Sequence, residues 1–188
     1  NSSSIQVGLD LAHRQRGLLW YTTYGVDFAG KYSYVHDHDQ AGTLMIEHRF
    51  PQADASYDNF IFQVARQPDA EIISDTHGRV ARHQLAIAKG QRVEFTLAYR
   101  TRGLSTWRYD FGDGVERVRN FDLTLDTNFK AIDFPQSTMA ASSKEQLGNG
   151  WRLRWQFQNL ISGFALGMKL PDRLNPGPLA GQISFFAP

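Results

Sequence analysis

The sequence predicts an all-β fold, and three observations support this prediction. Apolar and polar side chains alternate at every second residue in about ten separate segments, which is the period of a strand with one buried face. Gly, Pro and Asn or Asp clusters separate these segments. No segment has the 3.6-residue period of an amphipathic helix. We therefore expect an antiparallel β-sandwich or open barrel, forming a single domain over residues 1–188 with little helix.

The longest alternating run covers Gly17–Val35. Every second residue from Leu18 to Phe28 is large or β-branched, and Tyr32 and Tyr34 continue the pattern after Gly30. Successive strand side chains point to opposite faces, so this spacing places an aromatic-rich face in the core. We interpret the run as the central strand, or a bent strand pair, with a bend or bulge at Gly25 or Gly30.

Shorter alternating runs predict the other strands. They cover residues 5–12, 44–50, 60–64, 71–74, 85–87, 93–99, 115–126 and 151–157, and residues 182–186 form a last apolar segment. Asp113-Gly114 is a hairpin signal, because this turn needs a positive φ. Residues 136–150 are small and polar, which predicts a long surface loop, with a helical turn or two as an alternative over residues 140–146. The clearest strand follows, where Trp151, Leu153, Trp155 and Phe157 alternate with Arg152, Arg154, Gln156 and Gln158.

Composition excludes several classes of function. The formal net charge of +1 predicts no nucleic-acid partner. The absence of cysteine excludes disulfides, zinc-thiolate sites and thiol catalysis. The nucleophile elbow, the P-loop and the H-E-x-x-H motif are absent, so we predict no catalytic residue and no cofactor.

His36 and His38 are the candidate metal ligands. On an extended backbone the two imidazoles point the same way and could bind a divalent cation. The site would need a third ligand from another histidine, and the candidates are His13, His48, His77 and His83. The alternative interpretation is a solvated turn between two strands.

Arg152 and Arg154 are candidate ligand- or partner-binding residues. They lie on one side of their strand, as do the pairs Arg100 and Arg102, and Arg117 and Arg119. Together these pairs could form a basic stripe for acidic headgroups, glycans or nucleic acid. The alternative is an ordinary solvated sheet face on which each arginine pairs with Asp or Glu.

Trp107 and Tyr109 are the candidate aromatic contacts. Trp151 and Trp155 share their face with Leu153, so we expect them in the core. Trp107 lies beside a turn, and we expect it to be exposed. An exposed indole could stack on a sugar, as in a carbohydrate-binding β-sandwich.

The part of the chain from Trp107 to Leu170 resembles a known family. Arg108 to Gly114 precede a strand, Asn128 to Pro135 follow it, and Gly150-Trp151-Arg152-Leu153-Arg154-Trp155 comes after a Ser/Thr-rich loop. This order is similar to the extracytoplasmic part of CreD-like bacterial inner-membrane proteins, which carry a Phe-x-Gly-x-x-x-Pro element, a loop and a Gly-aromatic-x-x-x-Trp strand. Ala131 stands where the family has glycine.

The resemblance implies a β-rich domain at the periplasmic face of the bacterial inner membrane. Such a domain would be held by flanking transmembrane segments outside these residues and would bind an envelope protein or a small ligand, in envelope stress or signalling. The family implies no catalytic residues. A non-catalytic binding domain of this kind is our first hypothesis. A carbohydrate-binding module is the second, and a metal-dependent enzyme centred on His36 and His38 is the third.

Overall fold

The computed structural model describes residues 1–16, 19–52, 55–64, 71–75, 78–104, 106–112, 117–161 and 164–170. In these ranges the chain forms twelve strands and no helix, so the all-β prediction is confirmed. The strands are β1 (Ser2–Arg16), β2 (Leu19–Val35), β3 (Gly42–Arg49), β4 (Tyr57–Val64), β5 (Glu71–Asp75), β6 (Gly78–Ile87), β7 (Arg92–Arg102), β8 (Thr106–Tyr109), β9 (Val118–Thr127), β10 (Ser143–Leu147), β11 (Gly150–Leu160) and β12 (Leu166–Lys169). No helix in the described ranges is long and apolar enough to cross a membrane.

Seven strands form one large sheet in the order β10-β11-β9-β1-β2-β7-β4. The β1 strand lies in the middle, antiparallel to β2 on one side and parallel to β9 on the other. The expectation of a purely antiparallel sheet is therefore wrong at this pair. The sequence could not show it, because the pattern of one strand is the same whichever direction its neighbour runs.

Two small sheets cover one face of the large sheet and form the second layer. Strands β3, β6 and β5 make one of them, and β8 with β12 makes the other. His48 of β3 stacks near Phe28 of β2, and Tyr109 of β8 packs on Phe121 of β9. One continuous hydrophobic core lies between the layers, as in a β-sandwich.

The alternation read from the sequence corresponds to the observed burial. In β2 the side chains of Tyr24, Val26 and Phe28 are buried, and in β11 Leu153 and Trp155 are fully buried. These positions confirm the predicted inward faces. The side chain of Trp20 lies outside the described part of the chain.

Three local predictions need correction. The pairing of β2 with β1 and β7 continues without a register shift past Gly25 and Gly30, so neither glycine marks a bulge. The irregularity in this sheet lies in β4, between Asp58 and Ile61. The predicted surface loop over residues 136–150 contains β10, which is also where the alternative helical turn was placed. The Asp113-Gly114 turn lies outside the described residues.

Candidate functional site

The outer face of the seven-stranded sheet carries an open trough of about 820 Å³. All seven strands contribute residues to its lining, so the sheet curls around this face. The small sheets cover the opposite face, which leaves the trough open to solvent. Of the strand residues that line it, those facing outward are polar, charged or small, apart from Ile61 on the β4 edge.

One row of residues in register crosses the whole trough. From one edge of the sheet to the other, the row consists of Glu145, Arg152, Asp126, Gly8, Asp27, Arg100 and Asp58. The sign of charge alternates from strand to strand, except at Gly8, which has no side chain. Directly opposite residues of unlike charge stabilise a sheet, so the row fits the observed strand order.

Ion pairs fix the arginines of the trough. The pairs are Asp27 with Arg100, Asp126 with Arg152, and Asp122 with Arg154. The Arg152 guanidinium donates two hydrogen bonds of 2.7 Å, one to each carboxylate oxygen of Asp126. The hydrogen bond from Arg152 to Asp126 raises the pKa of the guanidinium, and the negative charges of Asp126 and Glu145 raise it further.

Small residues make the floor of the trough. Gly8, Ala29 and Ala98 lie on neighbouring strands at its centre. A Cβ atom built on Gly8 would come no closer than 3.8 Å to another side chain, so the space above this position is open. Phe28 and Tyr99 lie beneath the floor with their rings stacked 4.8 Å apart in the core. No aromatic ring therefore faces the described part of the trough.

A smaller cavity of about 450 Å³ lies further along the same sheet. Ser4, Lys31, Thr96 and Gln63 line it and lie in register on β1, β2, β7 and β4. Ser4 alternates with Gln6 and Gly8 along β1, so these three residues share the outer face of the sheet. The residues paired with Ser4 on the neighbouring strands face outward as well. The polar surface of the trough thus continues along the strands.

Two of the four predicted ligand-binding residues lie in the trough. Arg152 and Arg154 line it, and both are held by carboxylates. They are therefore not a free basic stripe, and the alternative of a face paired with acidic residues is observed here.

The other two predicted residues lie on the opposite face of the sheet. Trp107 is fully buried, because β8 pairs with β12 and packs its indole into the core. The prediction that Trp107 is exposed is wrong, and the buried ring has no face available for a sugar. Tyr109 is half-buried with its hydroxyl 3.5 Å from that of Tyr32, and burial raises the pKa of Tyr109 to about 12.

The candidate metal ligands lie in the turn after β2. His36 is buried, and its Nε2 lies 2.8 Å from the Gln40 carbonyl oxygen, a distance at which the ring nitrogen donates a hydrogen bond. His38 is exposed, with its ring 5.3 Å from that of His36. Within the described ranges no three potential metal ligands come together.

The suggested third ligands do not complete this site. His48 and His83 lie in the small three-stranded sheet, in contact with the core rings of Phe28 and Phe62. The side chain of His13 and the whole of His77 lie outside the described residues. The metal hypothesis therefore stays a prediction without a third ligand.

Sequence reasoning missed the residues at the centre of the trough. Asp27 and Asp126 are outward-facing members of alternating strands, and Gly8 is a glycine in a strand. The sequence did indicate which face of the strand they occupy, because Asp27 lies between the inward-facing Val26 and Phe28. Their proximity was not visible, because it depends on the register of strands that are distant in sequence.

Comparisons with known proteins show that the fold of this chain is similar to that of a solved structure. No protein-family model matches the chain, and no curated protein matches it. Among solved structures, the chain is similar to a protein of Legionella pneumophila described as a "putative nutrient binding protein", with a TM-score of 0.51 and 10% sequence identity. The similarity covers 88% of this chain and 66% of that protein, so the chain spans just under two thirds of its neighbour. At this identity the likeness concerns the fold alone.

Proposed function

We propose that this chain is a non-catalytic binding domain that holds a small polar ligand in the trough of its large sheet. The observation that carries the proposal is a single cavity of about 820 Å³ to which all seven strands contribute. This volume is within the usual range of small-molecule sites. The description of the Legionella neighbour as a "putative nutrient binding protein" is consistent with such a role.

The chemistry of the trough supports recognition of a polar ligand. Carboxylates accept hydrogen bonds and guanidiniums donate them, and the ion pairs hold both groups in fixed orientations. No ring faces the described part of the trough, so stacking on a sugar, as in the carbohydrate-binding hypothesis, has no support there.

The cellular setting belongs to the same proposal. The resemblance of residues 107–170 to CreD-like proteins supports a periplasmic domain anchored in the bacterial inner membrane, binding an envelope ligand or protein partner. The full-length reading frame tests this part. About 20 consecutive apolar residues on at least one side of the domain are expected, and polar flanks on both sides would contradict the anchored setting.

A ligand screen with a matched pair of variants tests the binding site. Amino acids, amines, carboxylates and sugars would be titrated while backbone amide shifts are recorded by NMR. We expect at least one compound to shift the amides of trough residues such as Ala29 and Ala98. Ala29→Tyr fills the floor and should abolish these shifts.

The control for this screen is Ala86→Tyr. Ala86 is also an exposed strand alanine, but it lies in β6, outside the trough. It should leave binding unchanged. Ligand-induced shifts confined to the small sheets, or binding that survives in Ala29→Tyr, would contradict the proposed site.

A further inference from the structure

The charge pattern across the trough is interrupted at one position. On either side of Gly8 the row contains a carboxylate, Asp126 on β9 and Asp27 on β2. Everywhere else in the row a carboxylate lies beside a guanidinium. Alternation would therefore require a cation at Gly8, and the described part of the chain supplies none there.

The space above Gly8 can hold a small cationic group. Neighbouring strands lie about 4.8 Å apart, so the Cα atoms of Asp27 and Asp126 are separated by about 10 Å with Gly8 between them. Gly8 lines the cavity and projects no side chain into it. A group centred over Gly8 is then at a similar distance from both carboxylates.

Both carboxylates have acceptor capacity left. A carboxylate offers about four lone-pair sites. Asp27 accepts a hydrogen bond from Arg100 at Oδ1, and each oxygen of Asp126 accepts one from Arg152. With Asp58 and Glu145 at its ends, the row has four carboxylates and two guanidiniums, so its formal charge is negative.

We infer that the trough selects ligands carrying a small organic cation, an amine or a guanidinium, which lies over Gly8 between Asp27 and Asp126. This inference rests on the proposed binding function and specifies the chemical class of its ligand. The bound cation restores the alternation of charge across all seven strands. The rest of the ligand lies along the floor of small residues toward Ala29 and Ala98.

Three probes with four carbons each and with positive, zero or negative charge test the inference. They are 1,4-diaminobutane, 1,4-butanediol and succinate, titrated into the intact chain at low ionic strength with amide shifts as the readout. We expect the diamine to bind at least tenfold more tightly than the diol and to shift the amides of Gly8, Asp27 and Asp126. Its affinity should fall as salt rises, because the attraction is between exposed charges.

Two lysine substitutions provide the matched pair. Gly8→Lys places a cation in the gap from within the chain, and it should abolish binding of the diamine. Gly25→Lys makes the same change at a glycine of β2 outside the cavity lining and should leave binding unchanged. A Cβ at either glycine stays 3.8 Å or more from its neighbours, so neither substitution creates a clash at that atom.

A second readout needs no ligand. Because its added charge lies between two carboxylates, Gly8→Lys should melt about 2–4 °C higher than Gly25→Lys, the shift that corresponds to about 1 kcal/mol for a chain of this size. If the two variants fold normally and melt at the same temperature, the inference that a cation is favoured between Asp27 and Asp126 is contradicted.

The outcomes separate this inference from the proposed function. If succinate or the diol binds in the trough as tightly as the diamine, the cation inference is overturned and the binding function stands. If none of the three probes binds, the cation inference is likewise overturned, and the wider screen with Ala29→Tyr decides the function. Diamine binding that persists in Gly8→Lys also rejects the inference.

Discussion

At the scale of single residues, His48 is a partly exposed titratable group whose ring packs against the core. Its ring contacts Phe28, Phe50 and Tyr99, with centroid distances of 5.3 to 6.1 Å. Its Nε2 atom is sealed from solvent without a hydrogen-bond partner in the described structure. Desolvation by burial lowers the pKa of His48 from 6.5 to about 4, because the protonated ring would be charged in an apolar setting.

This histidine predicts a loss of stability in mild acid. The unfolded chain binds a proton at His48 below about pH 6.5, whereas the folded chain resists protonation until about pH 4. The stabilising contribution is therefore complete above pH 6.5 and decreases as the pH falls toward 4. Between pH 7 and pH 5 we expect a loss of about 2 kcal/mol in the free energy of unfolding from this residue. Urea denaturation at the two pH values measures it.

His48→Phe separates this effect from that of the carboxylates. The variant keeps a ring of similar size between Phe28 and Tyr99 but cannot be protonated. Its loss of stability between pH 7 and pH 5 should be smaller than that of the wild type by the contribution of His48. An identical loss in both proteins would show that His48 does not titrate in this way.

At the scale of elements, the junction of β9 and β11 depends on one close approach of the backbone. A Cβ atom at Gly150 would overlap the carbonyl oxygen of Thr127, where β9 ends. The Thr127 hydroxyl also links the two strands: it accepts a hydrogen bond of 3.0 Å from the Trp151 amide and donates one of 2.8 Å to the Phe129 carbonyl. Only glycine allows this arrangement at position 150.

Gly150→Ala should therefore destabilise the protein substantially. The new methyl group must displace backbone and not the end of a flexible side chain, so we expect a loss of about 3 kcal/mol in the free energy of unfolding. Urea denaturation measures it, and Gly25→Ala is the control, since a Cβ there has its nearest neighbour at 3.9 Å. Equal stabilities of the two variants would mean that β11 can move away from Thr127 at little cost.

The elements themselves were largely predictable from the sequence, and their partners were not. The alternation in β2 and β11 identified both strands and the faces that they bury, because burial on one side of a strand repeats with period two. The pattern missed β10, whose five residues are all exposed. It also misplaced Trp107, since nothing in the local sequence shows that β8 pairs with β12 and turns the indole into the core.

At the scale of the whole molecule, the middle strand depends on both halves of the chain. The β1 strand pairs with β2 through the neighbouring hairpin and with β9 more than a hundred residues later. The edges of the sheet are β10 and β4. The trough exists only when all seven strands are assembled, which is why the sequence of any one strand could not predict it.

This arrangement predicts a gradient of hydrogen-exchange protection. Amides of β1 should exchange most slowly, because their loss requires opening of the sheet on both sides, and those of β10 should exchange fastest. Native-state exchange followed by NMR measures this order for each residue. Protection in β10 equal to that in β1 would contradict a cooperative unit centred on the middle strand.

The parallel pairing of β1 with β9 also has a consequence for synthesis on the ribosome. Strand β1 emerges first, but its second partner is completed only at Thr127. At about 5–20 residues per second, the nascent chain spends roughly 6–24 s with one side of this strand unpaired. An exposed strand edge is a template for association with other chains. We therefore expect folding during translation to benefit from a chaperone that protects the unpaired edge of β1 until β9 is complete.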